Sequence, residues 1–304
     1  MKKSAWILTA VLLCAAARAG YCANKAGTGT AAFLKLPADA RSAALGETSA
    51  ASARGAMALF QNPAGLADGG ASAAFSHALL AEDLSYDVLG AAVPFKGGVI
   101  GAGAQYLRYG SMTSLDNTGA PAGSLSPRDA AFALGYARPL ADGVLAGAAA
   151  KYLDSRISGS ASGAALDLGL VFNADDFFVG AAIQHLGKGL KFALEESPLP
   201  TNVKIGVMIP ADKWQYFADF NFPKDGPGWA GGGAEYRLAP GGGWSLACRA
   251  GYNNAAPDAG GISGLTAGFG FELGKFTLDY ALRAQGMLGS THHLGLSYAL
   301  GAPK

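Results

Sequence analysis

Apolar and polar side chains alternate along short segments of the C-terminal half of the chain. Between residues 276 and 283, one face carries Phe, Leu, Tyr and Leu, and the other carries Thr, Asp, Ala and Arg. Because successive side chains of a strand point to opposite faces, this period of two predicts strands with one apolar and one polar side. The same alternation recurs at residues 166–172, 203–209, 244–252 and 265–273.

Such segments recur about fourteen times between residues 71 and 300. Most span about 9–11 residues, the length that a tilted strand needs to cross the hydrocarbon of a membrane. One of them, at residues 143–152, is rich in alanine and is compatible with a helix as well as a strand. The predicted strands are centred on Phe75, Gly90, Ala104, Leu134, Ala148, Leu168, Ala181, Ile205, Ala218, Ala234, Ala247, Phe269, Tyr280 and Leu296.

Short and long connections join these segments. This asymmetry is typical of bacterial outer-membrane barrels, which have short periplasmic turns and longer external loops. The predicted tight turns lie at residues 141–143, 173–176, 211–213, 240–243 and 273–275, and the longer polar loops at 110–127, 188–200 and 253–264.

The composition narrows the fold further. Of the residues, 50% are hydrophobic and 15% charged, yet no apolar run of about 18 residues follows the N-terminus, which argues against transmembrane helices. A lipid-facing barrel combines high hydrophobicity with short apolar runs, and aromatic residues near strand ends suit its interfacial girdles. We therefore predict an all-β, transmembrane antiparallel β-barrel of about 14 strands, surrounded by outer-membrane lipid. A soluble β-sandwich is the alternative.

The N-terminus has the features of a secretory signal peptide. Two lysines at positions 2 and 3 precede an apolar core over 5–17, which is too short to span a bilayer, and residues 17–19 fit the cleavage rule. We predict a signal peptide over 1–19, or over 1–23 with the second cleavage option. A small-residue, partly helical segment follows over 24–70, and the barrel over 71–300.

The charge balance argues against nucleic acid as a partner. Removal of residues 1–19 takes away Lys2, Lys3 and Arg18 and no acid, so the formal charge falls from +1 to −2. Only Cys22 and Cys248 could then remain, which argues against a disulfide framework. No Cys or His spacing resembles a metal site, and we expect no metal and no cofactor.

A local motif at residues 60–67 contains Asn62, Pro63, Ala64, Gly65 and Leu66. Asn before Pro is held outside the helical region and can cap a helix, while Pro suits the first helical position. The motif therefore predicts a tight turn that enters one or two helical turns. An ordinary capped turn without a special role is the alternative.

The motif and the segment before it resemble the PorV/PorQ family of outer-membrane barrels and, more distantly, the FadL-type long-chain fatty-acid transporters. The shared pattern includes Ala40-Arg41, Gly46 and the run 62–66, and it covers residues 28–67. Over the rest of the chain the resemblance is one of architecture. It implies a fourteen-stranded barrel with the N-terminal segment inside its lumen.

Three functions stay open, and the resemblance implies the first two. The first is support of a secretion system that presents exported proteins at the cell surface, with secretion components as partners. The second is FadL-like transport of a hydrophobic ligand across the outer membrane. The third is a structural outer-membrane protein.

The C-terminal strand resembles the terminal signal read by the barrel-assembly machinery, through Gly295, Tyr298 and Leu300. The alternative is a closing strand without that role.

Five charged residues fall on the predicted lumen face of their strands: Lys204, Asp219, Arg249, Asp279 and Arg283. Lys or Arg would cost roughly 2–4 kcal/mol at the midplane of the lipid face. These residues form either a salt-bridged plug network or a path for a ligand or partner. The histidines at 77, 185, 292 and 293 accompany no nucleophile in a known arrangement, and we predict no catalytic site and no enzyme.

Overall fold

The computed structural model describes residues 29–81, 84–157, 159–192, 195–256 and 260–300, and the predicted signal peptide lies outside them. Strands dominate these residues because the alternation of apolar and polar side chains matches the pleat of a sheet. The strands are β1 Ser72–Leu79, β2 Ser85–Phe95, β3 Gly98–Arg108, β4 Met112–Leu115, β5 Pro121–Leu125, β6 Arg128–Ala141, β7 Val144–Arg156, β8 Ser160–Ala174, β9 Phe177–Gly187, β10 Leu190–Phe192, β11 Glu195–Ser197, β12 Asn202–Ala211, β13 Trp214–Pro223, β14 Trp229–Gly241, β15 Trp244–Asn253, β16 Leu265–Leu273, β17 Phe276–Ala284 and β18 Ser290–Ala299.

Fourteen of these strands form a closed antiparallel barrel, and β1 pairs with β18 to close it. The predicted barrel of about fourteen strands is confirmed, and each predicted centre falls within one barrel strand. The alanine-rich segment at 143–152 belongs to β7, so it is a strand and not a helix. The hairpins β4–β5 and β10–β11 form two separate small sheets in the connections β3–β6 and β9–β12, and Leu190 of β10 is buried in the apolar cluster of the lumen.

The two ends of the barrel differ in their connections. Two-residue turns at one end join β2–β3, β6–β7, β8–β9, β12–β13, β14–β15 and β16–β17. In the first of these turns, both Lys96 and Gly97 have positive φ angles of 44° and 75°, as tight hairpins require. The connections at the other end are longer. By the rule for bacterial barrels, the short-turn end faces the periplasm and the long-loop end faces outward.

The outside of the barrel is apolar. Phe132 and Leu134 are 55% and 60% exposed on β6, whereas the residues beside them, Ala131 and Ala133, are buried toward the lumen. Near the short-turn end, aromatic rings pack on the outer face, including Phe276 against Tyr298 at 4.6 Å. This exterior suits the hydrocarbon and interface of a bilayer. Among the described residues, no helix is long and apolar enough to cross a membrane.

Residues 29–71 fill the lumen, and we call this segment the plug. It runs from the long-loop end, where the Thr30 N–H donates to the Pro198 carbonyl at 2.9 Å, to the start of β1 at the short-turn end. Its helices are too short to be stable alone, so wall contacts hold them. They are 3₁₀ turns at Ala32–Lys35, Gly55–Met57 and Pro63–Gly65 and α-helical turns at Ala40–Ala44, Ala58–Gln61 and Leu66–Gly69; a further 3₁₀ turn, Gly286–Leu288, precedes β18.

The wall is irregular between β8 and β9. The pairing register shifts between Leu166 and Leu168, and His185 opposite them has a φ of 59°. The His185 N–H donates to Asp167 Oδ1 at 2.8 Å instead of continuing the ladder. A bulge of this kind bends the strand and redirects its side chains. It places His185 in the lumen, fully buried beside Asp167.

Candidate functional site

The Asn62-Pro63 turn ties the plug to the wall. Asn62 precedes a 3₁₀ turn that begins at Pro63, and its Oδ1 accepts the Ala64 N–H at 3.2 Å, as the sequence predicts for a cap. Its Nδ2 donates to the Ala50 carbonyl at 2.5 Å and to the Leu170 carbonyl of β8 at 3.1 Å. A longer contact, of 3.4 Å, reaches the Ala181 carbonyl of β9. One buried amide thus joins two parts of the plug to two wall strands.

Glycines of the wall let the plug backbone approach closely at this turn. A Cβ on Gly169 would collide with Asn62 Oδ1, and a Cβ on Gly147 would lie within 2.6 Å of the Pro63 and Ala64 backbone. A Cβ on Gly180 would collide with the Ala50 carbonyl. Only glycine leaves room for such backbone approach. The chain contains 45 glycines, and those on the lumen face of β7, β8 and β9 make room for the plug.

The rest of the motif is buried around the turn. Ala64 and Leu66 are fully buried, and Leu66 belongs to the main apolar cluster of the lumen. Gly65 lies against the Ala53 carbonyl, where a Cβ does not fit. Gln61 donates to Asp39 Oδ2 at 2.9 Å and Ser42 Oγ at 3.0 Å. The motif therefore connects two short helices of the plug.

Two cavities lie on either side of this turn. The upper cavity, toward the long loops, has a volume of about 80 Å³ and is lined by residues that include Leu36, Phe60, Gln184, His185 and Lys204. The lower cavity, at the short-turn end, has a volume of about 290 Å³. Its lining includes apolar residues, such as Leu145, Val171 and Phe178, and the charged residues Arg54, Asp68 and Asp142. Both border the inner faces of β8 or β9, and Asn62 contacts those strands between them.

All five charged residues assigned to the lumen face have their side chains inside the barrel. Two of them hold the middle of the plug: Lys204 Nζ donates to Ser49 Oγ at 2.8 Å, and Asp219 accepts the N–H groups of Ser49 and Ala50 at 2.7 and 2.8 Å. Bonds to an ionised carboxylate are stronger than neutral ones. The pair Lys204 and Asp219 therefore fixes the plug against β12 and β13.

The other three belong to ion pairs with the plug or with each other. Arg249 bridges Glu235 at 2.7 Å and Asp279 at 2.6 Å. Arg41 of the plug also reaches Glu235, at 3.1 Å, and Arg283 pairs with Glu47 of the plug. Of the two sequence interpretations, these contacts favour a salt-bridged plug network.

A further buried group was not assigned a role from the sequence. Lys151 on β7 pairs with Asp167 on β8 at 2.6 Å, and both side chains are fully buried. His185 lies 3.3 Å from Lys151 Nζ through its Nδ1. The only signal in the sequence was a lysine and an aspartate on the lumen face of Ala-rich and Leu-rich strands. Partners on different strands cannot be read from one strand's alternation.

The C-terminal residues complete the barrel. The Leu300 N–H donates to the Ala71 carbonyl at 2.8 Å, and Tyr298 packs on Phe276 from outside. Gly295 faces the plug, where a Cβ would make only ordinary contacts, with Ala40 at 3.5 Å. Recognition of Gly295, Tyr298 and Leu300 by the assembly machinery stays a prediction.

Within the described parts of the chain, no group of three or more His, Cys, Asp or Glu side chains is arranged to hold a metal ion. His77 and His292 lie on the outer surface, bonded to Asp87 and Tyr280. His293 is buried beside Thr291. Cys248 lies exposed on the outer face of β15, and it forms no disulfide with any residue that the structure describes.

Comparison with known proteins yields structural neighbours only. No protein-family model matches the sequence, and no curated protein matches it either. The toluene transporter TodX of P. putida has a TM-score of 0.59 and 13% identity, over 87% of this chain and 99% of that one. For the Ralstonia pickettii toluene transporter TbuX the values are 0.56 and 17%, over 85% and 96%.

A Pseudomonas aeruginosa FadL homologue is similar as well, with a TM-score of 0.54 and 11% identity, over 86% of this chain and 98% of that one. At these identities the similarity concerns the fold. Together with the closed wall and its apolar exterior, it places the protein in a bacterial outer membrane. The chain has the fold of the FadL-type outer-membrane barrels.

Proposed function

We propose that the protein passes hydrophobic small molecules across the outer membrane, along the inner faces of β8 and β9. The observation that carries this proposal is the pair of cavities separated by the Asn62-Pro63 turn inside a closed barrel. Structural neighbours that are named toluene transporters support it. The molecule would be moved without chemical change, in keeping with the expectation that the protein is not an enzyme.

The volumes of the two cavities decide whether the plug must move to let a small molecule pass. An apolar cavity of about 150 Å³ accommodates benzene. The lower cavity, of about 290 Å³, exceeds that volume, and the upper cavity, of about 80 Å³, does not. A molecule the size of one aromatic ring therefore passes the upper part of the lumen only when the plug shifts.

The hydrogen bonds of the Asn62 side-chain amide resist this shift of the plug. It donates to the carbonyl of Ala50 within the plug and to the carbonyl of Leu170 on the wall, so the plug cannot leave β8 without breaking the bond to Leu170. Each such bond contributes about 1 kcal/mol net, and a carbonyl left buried without a partner costs more. We therefore assign Asn62 as the closing contact of the route and Pro63 as the residue that fixes its backbone.

The resemblance to PorV/PorQ supports a second candidate, a barrel that assists the secretion of exported proteins. The plug fills the lumen, so such a role would use the outer surface. The β4–β5 hairpin at the long-loop end exposes Met112, Leu115 and Leu125 by 48%, 59% and 36%, which suits a protein partner. Co-purification of secretion components with the native protein, and loss of that association on removal of residues 112–125, would support this candidate.

The proposed transport is tested by uptake of radiolabelled toluene into cells that carry the protein in their outer membrane and lack a similar channel. We expect faster uptake than in cells without the protein, and no change in the uptake of a sugar of similar size. Asn62→Ala should raise toluene uptake several-fold and expose residues 29–67 to added protease. The barrel should still fold, because Asn62 contributes about 1–2 kcal/mol.

Asn254→Ala is the matched control, since its side chain accepts the Ala230 N–H at 2.7 Å in an exposed loop, away from the plug. It should behave like the wild type. Equal uptake with and without the protein would refute the transport function. Unchanged uptake and protease access in Asn62→Ala, with active wild type, would refute only the closing role of Asn62.

A further inference from the structure

Three arginines form a row on the outside of the barrel at the long-loop end. Arg108 on β3 pairs in register with Arg128 on β6, and Arg128 pairs in register with Arg156 on β7. All three occupy outward positions, because Phe132 and Tyr152, an even number of residues along β6 and β7, are exposed on the outer face. We call these three residues the arginine row.

Such a row is unfavourable without an anion. Residues directly opposite on neighbouring strands have Cβ atoms about 5 Å apart, and like charges there destabilise the sheet. Arg108 is compensated by Asp87 at 2.5 Å, and Arg156 by Asp154 at 3.1 Å. Asp87 also binds His77 at 2.7 Å, so it is shared. Among the described residues, Arg128 in the centre of the row has no ion pair.

The row stands at the level of lipid headgroups. The stretch of β6 between its two outward arginines, Arg128 and Arg138, rises about 33 Å along the strand, or about 25 Å along the membrane normal at a tilt of about 40°. The apolar band of such barrels is about 25 Å tall. With Arg138 at its lower edge, the arginine row lies at its upper edge, and Phe132 and Leu134 lie inside it.

The patch is confined to one side of the barrel. In the barrel strands β8, β9 and β12 to β18 as the structure describes them, no outward position holds Lys, Arg, Asp or Glu. Tyr106 lies beneath the Arg108 guanidinium, at 5.9 Å from the ring centre, and adds an aromatic ring at the interface. A general attraction to water or to headgroups would not concentrate the charges on β2, β3, β6 and β7.

We propose that the arginine row binds the phosphate groups of a phosphorylated glycolipid in the outer leaflet. Guanidinium groups match phosphate oxygens in a bidentate geometry, and they are weakly hydrated, so they suit a membrane interface. The row spans two strand spacings, about 10 Å, which leaves room for more than one phosphate. The lipid chains would then lie on Phe132, Leu134 and the alanines beside them.

Native mass spectrometry of the full mature protein in detergent tests this site, with lipid A as the probe. We expect one tightly held lipid A per barrel, weaker binding of the same lipid after enzymatic removal of its phosphates, and weaker binding of phosphatidylglycerol. Inorganic phosphate at millimolar concentration should not displace the lipid. Displacement by phosphate would mean a free-anion site, and equal binding of the dephosphorylated lipid would refute recognition of phosphate.

Two variants on β6 distinguish binding of lipid A by the arginine row from a general effect of positive charge. Arg128→Gln should weaken lipid A binding at least about tenfold, which corresponds to the loss of one charge-assisted bond. Arg138→Gln changes an outward arginine at the opposite end of β6 and should have no effect. Asp87→Asn frees Arg108 and should strengthen binding several-fold. Gel mobility before and after heating verifies that each variant is a folded barrel. Equal binding by the Arg128 and Arg138 variants would overturn the proposal.

Discussion

The plug meets two sides of the barrel wall in different ways. Against β1–β9 it packs apolar side chains, such as Leu59, Phe60 and Leu66, into one large buried cluster and sets its backbone on wall glycines. Against β12–β18, the plug also lies on wall glycines, such as Gly231 and Gly251, but its apolar clusters are smaller. On this side charged wall residues bond it as well, through Lys204, Asp219, Glu235 and Arg283. Shape positions the plug on both sides, and charge adds to it on the second.

The two sides contribute differently to the stability of the plug and to its position in the barrel. Apolar burial is favourable wherever it occurs, at about 25 cal/mol per Å². A buried ion pair gains little net energy, because desolvation offsets attraction, but losing one partner is costly. We infer that the β1–β9 side stabilises the plug and the β12–β18 side fixes its position along the barrel axis.

Gly147→Val should have the largest effect, because the larger side chain prevents the plug from packing against the β1–β9 side. Its Cβ would lie within 2.6 Å of the Pro63 and Ala64 backbone, which cannot move without losing the Asn62 bonds. We expect at least about 3 kcal/mol of destabilisation, at the upper end for overpacking. Urea unfolding in detergent, followed by tryptophan fluorescence, measures it. Gly232→Val, whose Cβ points outward with one neighbour at 3.5 Å, should remain as stable as the wild type.

Glu235→Gln removes a charged contact between the plug and the β12–β18 side and should have a smaller effect. It removes the carboxylate that Arg41, Arg249 and Arg237 share, while Arg249 keeps Asp279. We expect a loss of about 2–3 kcal/mol in the same unfolding experiment, below the full cost of an unpaired buried charge.

Glu272→Gln is its control. Glu272 also pairs with Arg237, but its side chain is 43% exposed, and its loss should cost less than about 1 kcal/mol. Equal losses for the two glutamates would mean that the charged side is held by solvent-exposed pairs, and our comparison of the two sides would then be wrong.

Asp68→Asn should have the smallest effect. Asp68 pairs with Arg54 at 2.6 Å within the plug at the short-turn end, and both side chains are more than 40% exposed. Exposed pairs contribute about 0–1 kcal/mol and are screened by salt. We expect a stability change below about 1 kcal/mol that vanishes at high salt. A larger loss would show that the plug depends on this end as well as on its two sides.

The sequence predicts the wall well because lipid imposes a simple rule on it. An outward residue such as Leu278 faces lipid and must be apolar, whereas the lumen tolerates a charged neighbour such as Asp279. The resulting alternation marks most strands. The exception, at 143–152, shows why: alanine suits lipid, lumen and helix alike, so β7 gives little contrast. The hairpins β4–β5 and β10–β11 carry no lipid-facing side and were not predicted.

The site is less predictable, because its contacts join residues far apart in the chain. The cap at Asn62 follows from the Asn-Pro pair, but its bonds to Leu170 and Ala181 depend on how the plug enters the barrel. The same is true of Lys151 and Asp167, which meet only because β7 and β8 bring them together. In the sequence, a glycine such as Gly147 only indicates a weak strand former. Its role appears once the structure shows which plug backbone packs against it.

Closure of the barrel between β1 and β18 sets the order of its assembly. The plug precedes β1 and occupies the lumen as far as the long-loop end, yet it is joined to the wall at the short-turn end. A finished barrel would have to admit 43 residues of bulky chain past the turns, whereas an open sheet can curl around them. The sheet then forms around the plug, and the pairing of β18 with β1 encloses the plug in the finished barrel.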